Sequence, residues 1–174
     1  MLSAGTMTAQ RQERYGWRPA IAFFASLAGF LVWACPEFTA RASTTERVVV
    51  NRFSGIAIEG FDPVAYFVQG RAVLGREDFE AADAGAVWRF RNEGNRAFFV
   101  AHPEIYGPQF GGYDPIDVAR GVAFAGNPRF WVISGQRLYL FGVEANRDAF
   151  AANPDRFLKE ANVRWLTVQE DLAQ

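Results

Sequence analysis

Residues 88–106 read WRFRNEGNRAFFVAHPEIY, and residues 139–157 read YLFGVEANRDAFAANPDRF. A shift of 51 residues lays Asn95-Arg96 on Asn146-Arg147, Phe99 on Phe150, Ala101 on Ala152 and Pro103 on Pro154. The same shift matches Trp88 with Tyr139, Phe90 with Phe141, Glu104 with Asp155 and Tyr106 with Phe157. Aromatics two residues apart follow the strand period, and the Asn-to-Phe spacing of four follows the helical one. Each stretch therefore reads as a strand with two aromatics on one face, a turn into a short helix, and a second helix opened by proline. One such unit cannot bury an apolar face alone, so the two are expected to share a core.

Outward from this repeat, the chain reads as hairpins and short helices. Val48 to Phe53 is apolar and β-branched and predicts a strand; Ala57 to Gly60 then leads into the turn pair Asp62-Pro63. Val64 to Val68 and Arg71 to Leu74 flank Gln69-Gly70, which predicts a tight hairpin. A second hairpin is expected about Asp83-Ala84-Gly85 and a third about Ser134-Gly135. Asn92 is placed to cap a helix running to Ala101, with Phe98 and Phe99 on its buried side and Pro103 at its end. Pro115 opens another helix ending near Gly121. Leu158, Ala161, Trp165, Val168 and Leu172 give one face of a C-terminal helix. The expected fold is α+β: a small antiparallel sheet of hairpins with short helices, two degenerate half-units at about 56–121 and 122–174 sharing one aromatic core, and a C-terminal helix.

The first 42 residues read as an address. Arg11, Arg14 and Arg18 precede an apolar run from Ala20 to Cys35, and Ala40-Arg41-Ala42 offers a cleavage site, the layout of a secretory signal. The expectation is an exported, periplasmic domain spanning 43–174. The alternative is an uncleaved anchor holding that domain outside the cytoplasm, the only membrane contact expected. Cleavage after Ala42 removes four of the 18 basic and two of the 19 acidic residues, leaving 14 against 17. That balance argues against a nucleic-acid partner. The lone Cys35 and both methionines, Met1 and Met7, lie in the removable segment, so the remainder has no soft ligand for Cu(I) and no disulfide.

Gly60-Phe61-Asp62-Pro63-Val64-Ala65-Tyr66-Phe67, Trp88-Arg89-Phe90, Asn95-Arg96 with Phe99, Pro103 and Tyr106, and Gln109-Phe110-Gly111-Gly112-Tyr113 follow in order. This combination, over roughly residues 50 to 160, resembles the YHS domain family, and most nearly its exported single-domain bacterial members. The resemblance implies a small α+β domain of a family associated with heavy-metal handling, whose metal-binding members use cysteines. Those cysteine positions fall here on Ala65, Arg91 and Asn95, and a further one after the Gly-Gly-Tyr falls on Asp114. None can supply a thiolate, so no cofactor is expected from this source.

The remaining chemistry is sparse. His102 with Glu104, Asp114 and Asp117 forms an alternative hard or borderline site for a divalent metal ion. Against it, Asn153 takes the place of His102 in the repeat, also before a proline, which points to a helix-end role. Asp114 before Pro115 reads as an N-cap, and Asp62 before Pro63 reads the same way. No nucleophile-elbow serine and no phosphate-cradling glycine loop occurs. The expected function is a non-catalytic binding or structural module for an unknown small ligand or protein, with Asp62, Tyr66, Tyr106, Phe110, Tyr113 and Asp114 as candidate ligand-binding residues. A further alternative is a small-molecule enzyme with its site in the Tyr106–Asp117 loop.

Overall fold

The computed structural model describes residues 47–173; the signal-like segment, its cleavage site and Cys35 lie outside the described residues. Four strands form two antiparallel hairpins, β1 (Arg76–Asp83) with β2 (Ala86–Phe90), and β3 (Asn127–Ser134) with β4 (Arg137–Phe141). Among the described residues six α-helices accompany them: α1 (Ala65–Gln69), α2 (Glu93–Ala101), α3 (Pro103–Tyr106), α4 (Pro115–Ala119), α5 (Glu144–Ala152) and α6 (Pro154–Asp171). The α+β class is therefore as the sequence reads. Among the described residues no helix is long and apolar enough to cross a membrane.

Both hairpins close on two left-handed residues, Ala84-Gly85 with φ of 50° and 79°, and Gly135-Gln136 with φ of 56° and 58°. Such turns match the right-handed twist of their strands. Each hairpin also carries the same irregularity, between Arg76 and Glu80 in β1 and between Asn127 and Trp131 in β3. After the second strand, the chain enters α2 or α5. Phe99 then packs on Trp88 and Phe90 with ring centroids 5.0 and 5.2 Å away, and Phe150 packs on Tyr139 and Phe141 at 4.9 and 5.1 Å. Burial of a phenylalanine on this scale contributes about 1.5–3 kcal/mol, and tilted ring pairs add to it.

The two units part after the proline. Gly107 ends α3 after one turn, where its N–H donates to the Pro103 carbonyl and a Cβ would stand 2.7 Å from that oxygen. The equivalent helix, α6, runs on to Asp171 and lays Leu158, Ala161, Trp165, Val168 and Leu172 against the core.

β4 joins the two halves. Leu138 and Leu140 enter one apolar cluster with Tyr66, Trp88, Phe90 and Phe99; the alternate residues Tyr139 and Phe141 enter a second with Phe110, Tyr113, Ile116 and Phe150. A strand buried on both faces makes the aromatic interior common to both half-units. The Tyr66 hydroxyl fastens the join by donating to the Pro128 carbonyl at 2.8 Å, while its ring meets Trp131 edge-on at 5.3 Å.

Three local expectations are corrected. Residues 48–53 make a single bridge, Val50 to Ala57, because Asn51 Oδ1 accepts from the Phe53 and Ser54 amides and turns the chain outward. The expected first hairpin at 64–74 is instead helix α1, ended by Gly70 at φ 62°. Of the Phe98-Phe99 pair only Phe99 is buried; Phe98 is 53% exposed, since only Phe99 shares the inward face with Asn95 four residues earlier.

Candidate functional site

The most deeply buried polar groups are two carboxylates. Asp62 Oδ1 accepts from the Val64 and Ala65 amides at 2.8 and 3.2 Å, which opens α1; its Oδ2 accepts from the Arg91 amide at 2.7 Å and Asn95 Nδ2 at 2.6 Å. Asp114 Oδ1 accepts from the Ile116 amide at 2.9 Å, capping α4, and its Oδ2 accepts from the Gly142 amide and Asn146 Nδ2, both at 2.8 Å. In each unit one carboxylate ties a helix start to the end of a strand and to the asparagine of the following helix. The N-cap reading of Asp114 is correct, and in both units the second oxygen does the long-range work.

The approach to each aspartate is duplicated as well. Ile58, Glu59 and Gly60 have φ of 41°, 55° and 79°; Phe110, Gly111 and Gly112 have 52°, 62° and 89°. Behind this left-handed turn the Gly60 carbonyl accepts from the Gly75 amide, as Gly112 does from Gly126. The Asp62 amide donates to Val73 and the Asp114 amide to Phe124, each at 2.8 Å. Gly60-Phe61-Asp62-Pro63-Val64 against Gly112-Tyr113-Asp114-Pro115-Ile116 is the sequence signal for this, offset by 52 rather than 51. The likeness between the units thus extends back to the Gln109–Gly112 turn.

Burial raises the Asp114 carboxyl above the usual carboxylate range, opposed by its hydrogen bonds from Asn146, Gly142 and Ile116, with Asp117 adding to the rise. Burial also pushes the Tyr66 phenol far up, helped by Asp62 and Glu59, and it raises Tyr139. These tyrosines stay neutral and serve as core residues, Tyr66 as a donor.

The candidate ligand residues do not converge on one pocket. Tyr66 is buried in the first cluster. Tyr106 packs half-buried on Phe67, 5.3 Å between centroids, and Phe110 and Tyr113 both lie on Trp165, at 5.7 and 6.1 Å. The four alternative metal residues do not form one group. His102 is exposed, with Nδ1 3.4 Å from Glu104 Oε1, and Asp114 is saturated by donors. Asp117 pairs with Arg120 at 3.0 Å. Among the described residues no group of three or more His, Cys, Asp or Glu is placed to hold a metal ion. The expected capping by the His102 side chain is absent, whereas Asn153 does cap α6 by accepting from the Arg156 amide at 3.3 Å.

Of the four positions at which the resemblance places cysteines, three contact Asp62, and the fourth, Asp114, has its own donors in Ile116, Gly142 and Asn146. Ala65, Arg91 and Asn95 all donate to the single carboxylate of Asp62, the first two through their amides. An alanine, an arginine and an asparagine do not fit a soft-metal centre.

A cleft of about 230 Å³ opens between the first hairpin, the 107–111 loop and α6. The buried Trp88 and Phe99 line it together with Trp165, Gln169, Pro108, Gln109 and Gly111. Arg47, Asp83 and Glu104 supply charge at its edges. The loop singled out in the sequence thus lines a cleft, but through Gly107, Pro108, Gln109 and Gly111 and not through Tyr106, Phe110 or Tyr113. Trp165 and Gln169 belong to the cleft only because α6 folds back, which no local pattern announces. No family model, curated protein or solved structure matches this chain.

Proposed function

We propose that the chain is an exported, non-catalytic YHS-like binding module in which a buried Asp–Asn hydrogen bond stands where metal-binding relatives hold a thiolate site. The observation that carries this reading is the gathering of Ala65, Arg91 and Asn95 around Asp62. The arginine-apolar-Ala40-Arg41-Ala42 order supports export. With both buried carboxylates committed to backbone and asparagine donors, the groups best shielded from water hold the fold instead of moving protons.

The binding cleft is the one between the first hairpin, the 107–111 loop and α6. Its wall from the first hairpin is held at the strand end by Asp62, the rigid support that a recognition site needs. At about 230 Å³ it is smaller than the usual site for a drug-sized ligand, and fits a small molecule or one side chain of a protein partner. Native mass spectrometry of the chain isolated from its own compartment tests the reading. A bound small organic molecule, displaced in Trp165→Ala, is the expected result; a stoichiometric metal ion lost in His102→Ala would overturn it.

A further inference from the structure

A second, larger cleft, about 540 Å³, is lined by Phe61, Ala72, Val73, Leu74 and three arginines, Arg71, Arg91 and Arg129. Five of the 13 arginines among the described residues are held closely by acids. Arg76, Arg89, Arg96, Arg120 and Arg147 each lie within 3.0 Å of a carboxylate oxygen. The cleft differs: no ion pair or side-chain hydrogen bond holds Arg71 or Arg91 among the described residues, and no acid lines it. Arg129 lies over the Phe61 ring at 5.2 Å and touches one acid, Glu59 outside the cleft, at 3.8 Å. The other nearby acid, Asp62, is buried and its Oδ2 is taken by the Arg91 amide and Asn95.

We infer that this cleft binds a small organic oxyanion, a carboxylate or phosphate carried on a short apolar body. Guanidinium groups with free donors pair with such anions through two parallel hydrogen bonds. Stacking on Phe61 holds the Arg129 plane in place before any ligand arrives, which lowers the ordering cost of binding. Leu74 is 56% exposed beside the arginines and, with Val73 and Ala72, gives the apolar body a surface. The volume falls within the range of small-molecule sites. This site is separate from the Trp165 cleft and its success or failure is independent of that reading.

Titration of the full chain with inorganic phosphate, benzoate and uncharged benzyl alcohol, followed through the arginine Nε–H signals by NMR, tests it. Benzoate is expected to saturate shifts at Arg71, Arg91 and Arg129, to bind more tightly than phosphate, and to leave Arg164 on α6 unmoved. Benzyl alcohol is expected to shift none of them. Arg91→Gln and Arg71→Gln should each weaken benzoate about tenfold, with Arg164→Gln without effect and unfolding midpoints unchanged. Shifts spread over all arginines alike, or affinity indifferent to Arg71 and Arg91, would overturn the site. Phosphate binding as tightly as benzoate would overturn its apolar half.

Discussion

Asn95 Nδ2 donates to Asp62 Oδ2 at 2.6 Å across 33 residues of chain, and Asn146 repeats the bond to Asp114 at 2.8 Å across 32. The asparagines recur at an offset of 51 and the aspartates at 52. The pairs nevertheless meet in the same geometry, each closing a helix start onto a strand end. A buried carboxylate is tolerable only when its oxygens are filled by donors, so each unit stands on the completeness of one such set.

The aromatic anchors should be equivalent. Phe99→Ala and Phe150→Ala are each expected to cost about 3–5 kcal/mol in chemical denaturation, because each leaves a void between two rings. Phe98→Ala, at a position 53% exposed, should cost under about 1 kcal/mol.

Two glycines should separate backbone strain from steric exclusion. Gly70 has φ 62° with open space about it, so Gly70→Ala is expected to cost about 1 kcal/mol. At Gly75 a Cβ would stand 2.4 Å from the Arg89 carbonyl carbon, so Gly75→Ala must part the segment from β2. Its loss in thermal or denaturant unfolding should be clearly the greater.

Asp114 should give stability an acidic component. Its carboxyl is raised in the folded chain, so the folded state holds a proton more tightly than the unfolded one. Stability from this group is then fully present below the ordinary carboxyl value and is lost as pH rises through the raised one. Denaturation midpoints measured from pH 3 to 7 should show the difference, wild type minus Asp114→Asn, falling with rising pH. A difference that grows with pH would mean that the hydrogen bonds outweigh burial.

What was legible in the sequence was what is held locally. The first hairpin turn within Asp83-to-Gly85, the Asn92 cap and the Pro103 and Pro154 starts each depend on neighbours within a few residues and are where their patterns put them, while the turn expected at Ser134-Gly135 falls one residue on, at Gly135-Gln136. Val64 to Val68 misled because its apolar run suits a strand; the Asp62 carboxylate, fixed from Arg91 and Asn95, closes it into a helix turn. The same distance hid the site. Asp62 and Asp114 read as turn and capping acids, which their Oδ1 atoms are, while the partners of Oδ2 lie 28 to 33 residues away. Tyr66, Phe110 and Tyr113 read equally as core or pocket, and packing by Trp131 and Trp165 made them core.

Two double-mutant cycles, Asp62→Ala with Asn95→Ala and Asp114→Ala with Asn146→Ala, test most directly whether one structural device is used twice. Hydrogen bonds to a buried charge predict coupling of about 1.5–3 kcal/mol in denaturant unfolding, of similar size in both pairs. Coupling near zero in either pair would contradict the duplicated clamp.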